Sequence, residues 1–150
     1  MGEKVVARNR RARHEYFILE TMEAGIALQG SEIKSIRAGQ ISLAEAFVRV
    51  NGKEAWLEDA HIAPYEQASI YNHEPRRPRK LLLHSSEIRK LWNTIRQKGV
   101  TIIPLAVYLK NGRAKVEIGV AKGKKLYDKR AEIAKRDTQR EIERTLRGRD

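Results

Sequence analysis

The dipeptide Asn-Gly occurs twice, at 51–52 and 111–112, each time between runs in which apolar and polar residues alternate. Asn and Gly are the two residues that most readily take positive φ, which the tightest hairpin turns require at both central positions. The first turn joins Ala46–Val50 to Glu54–Glu58. The second joins Val100–Leu109 to Arg113–Ala121, where Val107 and Leu109 alternate towards the same side as Val116, Ile118 and Val120. Two such hairpins commit the chain to antiparallel sheet.

The remaining elements fit around them. Tyr16, Phe17 and Ile18 favour a strand from Glu15 to Met22, and alternation resumes at Gly25, Ile26 and Leu28. Ser31 or Glu32 to Ala38 reads as a short helix, with Ser31 as N-cap, Ile33 and Ile36 on one face and Gly39 as the stop. Ser85-Ser86-Glu87 opens a second helix, in which Ile88, Leu91, Trp92 and Ile95 form an apolar stripe that ends before Gly99. Trp92 lies in that stripe and reads as core. Between Pro64 and Lys80 the pattern stops, and three prolines predict an extended loop of a length that is often functional. The expected fold is a small, mainly β, antiparallel barrel with flanking helices.

Residues 121–150 differ in kind. They carry eleven Lys or Arg against six Asp or Glu, and Ile133, Ile142 and Leu146 make no continuous apolar stripe. A helix is plausible from Asp128 onward on propensity, but a helix with no face to bury is marginal in water. The expected organisation is a barrel domain over 1–120 and a basic tail over 121–150 that is disordered until a polyanion orders it. The whole chain has a net charge of +12, so subtracting the tail's +5 leaves +7 for the domain. Nucleic acid is the leading partner for such a balance. An anionic membrane fits less well, because no basic amphipathic helix with an apolar face is evident. No secretory h-region and no membrane-length apolar run are visible, so a soluble cytoplasmic protein is expected.

The inventory does not assemble an enzyme. His14, His61, His73 and His84 never fall at metal-ligand spacing, and the chain has no cysteine. Gly119-Val-Ala-Lys-Gly-Lys is too short for a phosphate loop, and no Gly-x-Ser-x-Gly elbow surrounds any serine. Glu58 and Asp59 are adjacent in a predicted strand and would point to opposite faces. A binding protein without cofactor or metal is the expected class. A structural ribosomal protein with its tail threaded into RNA would show the same charge pattern.

Six blocks, in order along the chain, carry a resemblance. They are Asn9–Tyr16, Glu23–Leu28, Gly30–Gly39, His61–Tyr65, Pro75–Leu83 and Gly119–Arg130. Together they resemble the SsrA-binding protein (SmpB) family. The resemblance implies an oligonucleotide-binding-type β-barrel that binds the tRNA-like domain of transfer-messenger RNA (tmRNA). It also implies delivery of alanyl-tmRNA to stalled ribosomes with elongation factor Tu and GTP. The tail would then probe the decoding centre, formed by 16S rRNA of the small subunit, and enter the empty mRNA channel as a helix. The protein would act as a monomer.

Read this way, Asn9, Arg11, Arg13 and His14 belong to the tmRNA-facing surface, although Arg10, Arg11 and Arg13 serve equally as a charged strand entrance on composition alone. Glu23 would accept from a base edge or orient neighbouring arginines. Lys34 and Arg37 share a helix face suited to positioning phosphates. Arg76, Arg77, Arg79 and Lys80 would project charge from the proline-held loop. Composition favours a core position for Leu82, whereas the resemblance places it and His84 against RNA; relatives often carry Asn where His84 stands. In the tail, Lys122, Lys124 and Lys125 around Gly123 read as a cationic hinge. Tyr127, followed by Asp128, Lys129 and Arg130, reads as a stacking element for the ribosome. From Ala131, favourable Glu132–Arg136 and Glu143–Arg147 spacings alternate with repulsive Arg136–Arg140 and Arg140–Arg144 ones, which surrounding phosphates would relieve.

Overall fold

The computed structural model of the chain describes residues 3–67, 72–97 and 99–124. In chain order the elements are β1 (Glu3–Arg8), α1 (Ala12–Glu15), β2 (Tyr16–Ile26), α2 (Gly30–Arg37), β3 (Ile41–Ser42), β4 (Phe47–Val50), β5 (Ala55–Glu58), β6 (His61–Ile62), β7 (Arg79–Leu82), α3 (Ser85–Ile95), β8 (Val100–Lys110) and β9 (Arg113–Gly123).

The β8–β9 hairpin forms the seam. Lys110 pairs with Arg113 across a two-residue turn in which Asn111 (φ 52°) and Gly112 (φ 79°) are both left-handed. From β9 the sheet continues through β2, β7, β5 and β4, and it closes on β8 where Val48 pairs with Ile102. Strand β1 lies along the other half of the same β8 edge, from Glu3 opposite Lys110 to Arg8 opposite Ala106. The result is a six-stranded antiparallel OB-like barrel with one extra strand. The short pair β3–β6 lies outside it. Full closure leaves few free strand edges, which suits a small all-antiparallel domain.

Alternation directs Ala24, Ile26, Val48, Val50, Leu57, Leu81, Ile102, Val116, Ile118 and Val120 into the interior. Helix α3 adds buried Ile88 and Leu91 to this core, with Trp92 and Ile95 partly buried beside them. Arg96 stacks over the Trp92 ring at 5.0 Å. Helix α2 contributes Ile36, fully buried among the same set as Leu43 and Ile62. A second, smaller cluster joins Ala12 of α1 to Ile103, Leu105 and Ala121, with Tyr16 and Ile18 packed against it. A register shift between Pro104 and Ala106 marks a bulge at Leu105. Gly119 allows its close approach: a Cβ there would stand 2.9 Å from a Leu105 methyl carbon.

Four sequence expectations change. The turn at Asn51-Gly52 is not the two-residue type, since only Gly52 (φ 93°) is left-handed. Asn51 instead accepts from the Lys53 and Glu54 amides at 3.1 and 2.8 Å. Ser31 does not cap α2. Gln29 is the N-cap and its amide donates to Glu32 at 2.7 Å, while buried Ser31 bonds His73 Nδ1 at 2.8 Å. The stretch read as a strand entrance holds the single turn α1. Strand β9 runs on to Gly123, so Lys122 and buried Gly123 are sheet residues and not a hinge.

Candidate nucleic-acid interface

Strands β2 and β7 run antiparallel, with Gly25 opposite Leu82 and Ile26 opposite Leu81. Leu81 is buried and Leu82 is 53% exposed, so Leu82 points away from the core. Gly25 keeps this place open: a Cβ there would meet the Leu82 Cβ at 3.1 Å. Side chains alternate along a strand, so Glu23 shares the outward face of Gly25. Continuing the same register two steps past the last pair brings His84 opposite Glu23. There the chain leaves the sheet, with His84 as the N-cap of α3 and its amide donating to Glu87 at 2.9 Å. Glu23, Leu82 and His84 are all exposed. An acceptor, an apolar platform and an imidazole thus gather at one edge of the barrel. An unstacked RNA base is recognised with such groups.

The Glu23 carboxylate is held from behind. The Tyr108 hydroxyl donates to its Oε2, and Lys110 Nζ stands 3.6 Å from the same oxygen. The Tyr108 bond, with help from Lys110 and Lys115, keeps the Glu23 pKa below the ordinary carboxylate value. Burial and the bond to Glu23 push the Tyr108 pKa up.

A second group lies at the other end of β2, ~20 Å from Glu23 at the usual rise per residue of a strand. Buried Ala12 fixes α1, and Arg10, Arg11, Arg13 and His14 are exposed around it. Lys124 closes onto this turn: its amide donates to Glu15 O at 2.8 Å and its Nζ to Arg13 O at 3.0 Å, and the ammonium lies 5.0 Å from the Phe17 ring. Lys122 pairs with Phe17 in the sheet. The first lysines of the basic C-terminal stretch therefore share one end of the barrel with the Arg11–His14 block. Clefts of about 510 and 490 Å³ flank Asn9 and Arg11. Asn9 itself is committed to the fold, since Nδ2 donates to Pro104 O at 3.0 Å and its amide to Leu105 O at 2.8 Å.

The loop before β7 is not the free cationic patch that its composition suggests. Arg79 is 0% exposed. Its Nε donates to Glu32 Oε2 at 2.6 Å, and its guanidinium also reaches the carbonyls of Ala60 and Pro75 at 2.7 and 3.1 Å. Arg77 joins the same carboxylate at 3.0 Å, so Glu32, itself fully buried, is bound by two arginines and the Gln29 amide. Burial pushes the Glu32 pKa up, but Arg77, the Gln29 amide and Arg79 outweigh it and leave the pKa lowered. Burial lowers the Arg79 pKa against the pull of Glu32. Arg79 thus clamps the loop to the start of α2 and is unable to reach an external phosphate. Arg76 is exposed but pairs with Glu45 at 3.1 Å, and Lys80 pairs with Glu54 at 3.2 Å. On α2, Lys34 lies 5.6 Å from the Tyr65 ring and Arg37 reaches Gly112 O at 3.4 Å, both from exposed positions.

Tyr108, Lys110 and Glu32 escaped the sequence reading. The signal for Tyr108 was present, because a residue between core-facing Val107 and Leu109 must point outward. Nothing in the spacing links Glu32 to Arg79, 47 residues away. Lys125, Tyr127, Asp128, Lys129 and Arg130 lie outside the described residues. Among the described residues no helix is long and apolar enough to cross a membrane.

A family model described as "SmpB protein" matches residues 6–148. The chain is 61% identical over 146 residues to an SsrA-binding protein of Desulforudis audaxviator, covering 97% of this chain and 95% of that one. It is 62% identical over 148 residues to an SsrA-binding protein of Roseiflexus sp., covering 98% and 94%. Among solved structures it is similar to one described as "tmRNA-SmpB: a journey to the center of the bacterial ribosome". That likeness has a TM-score of 0.69 at 54% identity and covers 82% of this chain and 87% of the other.

Proposed function

Because the chain belongs to the SmpB protein family, we propose that it is a non-catalytic RNA-binding adaptor of trans-translation. Its barrel binds the tRNA-like domain of tmRNA and helps to deliver alanyl-tmRNA, with elongation factor Tu and GTP, to stalled ribosomes. The observation that carries this reading is the outward convergence of Glu23, Leu82 and His84 where β2 meets the start of α3. An anchored carboxylate beside an exposed leucine offers an unstacked base both a hydrogen-bond acceptor and an apolar surface. Arg11, Arg13, Lys34, Arg37, Arg76 and Lys80 supply positive charge around the barrel, which holds phosphates in register without reading sequence, and His14 offers a ring and a hydrogen-bonding edge to a base. Arg79 acts indirectly, by fixing the loop. Asn9 likewise serves by pinning the turn that presents Arg11 and Arg13.

The C-terminal segment is the second surface. Lys122 and Lys124 begin it at the α1 end. Lys125, Tyr127, Asp128, Lys129 and Arg130 continue it towards the decoding centre, with the residues beyond folding as a helix against the RNA walls of the empty mRNA channel.

Mobility-shift titration of the isolated tRNA-like domain tests the first surface. Leu82→Ala and His84→Ala are expected to weaken binding by roughly tenfold each, the scale of losing a stacking or hydrogen-bonding contact to a base. Melting is expected to be unchanged in Leu82→Ala and slightly lowered in His84→Ala, which also loses the side chain that caps α3. Parental affinity in both variants would overturn the assignment of this face.

A further inference from the structure

The Glu23 carboxylate has two oxygens in unequal surroundings. Oε2 accepts from the Tyr108 hydroxyl and faces Lys110 Nζ at 3.6 Å. Oε1 has no partner among the described residues, and the Glu23 side chain is 40% exposed. Tyr108 reaches it across β9, since Tyr108 pairs with Lys115 and Glu23 with Glu117 in the two neighbouring ladders. We propose that Tyr108 is a positioning residue for RNA recognition: its hydroxyl fixes one oxygen of Glu23, so that the other is presented beside Leu82 to an amino or imino N–H of an unstacked base.

The surroundings make such a brace necessary. Glu117 sits directly opposite Glu23 in the sheet, and like charges so placed repel. Glu3 adds a third carboxylate, 3.7 Å from Lys110. Left to itself, the Glu23 side chain would rotate away from Glu117 into solvent or fold onto Lys110. The phenol is well suited to prevent this, because Tyr108 is only 8% exposed and its ring is held by the sheet. The phenol and Lys110 both engage Oε2, which leaves Oε1 as the acceptor open to an N–H donor. The lowered pKa of Glu23 agrees with this arrangement, with the Tyr108 bond as its leading cause. With only 8% of Tyr108 exposed and its hydroxyl committed to Glu23, the phenol offers RNA little surface of its own.

The inference rests on the reading of Glu23 as an RNA-binding residue. A double-mutant cycle on affinity for the isolated tRNA-like domain separates the two claims. Tyr108→Phe keeps the ring and removes only the hydroxyl, while Glu23→Gln removes the anion. Each single variant is expected to lose roughly tenfold, the scale of a hydrogen bond to a charged group, and the double variant is expected to bind within about twofold of Glu23→Gln alone. Thermal melting of each variant is followed alongside, since a hydroxyl with a purely structural role would lower melting and leave affinity unchanged. If Glu23→Gln weakens binding while Tyr108→Phe does not, or if the two losses multiply in the double variant, the positioning role is overturned and the Glu23 site stands. If Glu23→Gln binds like the parent, both claims fall.

Discussion

At the residue scale, the fully buried Glu32–Arg79 pair is the most consequential feature, and it changes what the loop before β7 is for. Two charges removed from water repay their desolvation only when every hydrogen-bonding atom is engaged, and removal of one partner strands the other. Glu32→Gln is therefore expected to lose about 3–5 kcal/mol, read by urea denaturation. The pH dependence has a definite sign. The folded pKa of Glu32 lies below its ordinary value of 4.5, so the unfolded state takes up a proton first as the solution is acidified. The stabilisation is complete above that ordinary value and is lost as pH falls through the folded pKa. The parent should thus lose stability more steeply below about pH 4.5 than Glu32→Gln does. A residue reading of Arg79 as an RNA ligand fails here because burial is a tertiary property. The local sequence Pro-Arg-Arg-Pro-Arg gives three equivalent cations, and only the docking of α2 decides which one turns inward.

At the scale of elements, much of the barrel was legible. Strands β4, β5, β8 and β9 follow from alternation and the Asn-Gly signals, and α3 from its apolar stripe. The errors lie where a side chain substitutes for backbone geometry. The two Asn-Gly turns look alike in sequence but work differently: Asn111 adopts positive φ itself, whereas Asn51 uses its side chain to accept two amides. The same substitution should therefore give different outcomes. Asn111→Gly relieves a left-handed side chain and is expected to stay within about 0.5 kcal/mol of the parent. Asn51→Gly removes both acceptor contacts and is expected to cost about 1–2 kcal/mol by chemical denaturation. Equal costs would mean that the turns are of one kind. The end of β9 departs from its composition for a different reason, long-range backbone pairing. Lys-Gly-Lys-Lys reads as a hinge on composition, but ladder pairing of Lys122 and Gly123 with β2 and the contacts of Lys124 to α1 extend the sheet through it. Nothing local announces a ladder partner more than 100 residues away.

Across the whole molecule, β2 joins two surfaces: the Glu23–Leu82–His84 edge at one end, and α1 with Lys122 and Lys124 at the other. Charge is spread over both, while the groups suited to base recognition gather at the first. Binding to the tRNA-like domain should accordingly be salt-dependent. If about five phosphates are neutralised, log affinity against log salt is expected to fall with a slope of about −3.5 to −4.5, and a flat response would remove phosphate contacts as the main contribution. A structural ribosomal protein would stay on salt-washed ribosomes at unit stoichiometry, whereas an adaptor should enrich on stalled ribosomes together with its RNA. The central claim is that cargo binding and ribosome sensing occupy separate parts of one chain. It is tested most directly by deleting residues 127–150 and measuring tRNA-like-domain affinity and rescue of stalled ribosomes on the same preparation. The account expects affinity within about twofold of the parent, because no described contact of the barrel is removed, and rescue to be abolished. Parallel loss of both activities, or rescue that survives the deletion, would contradict it.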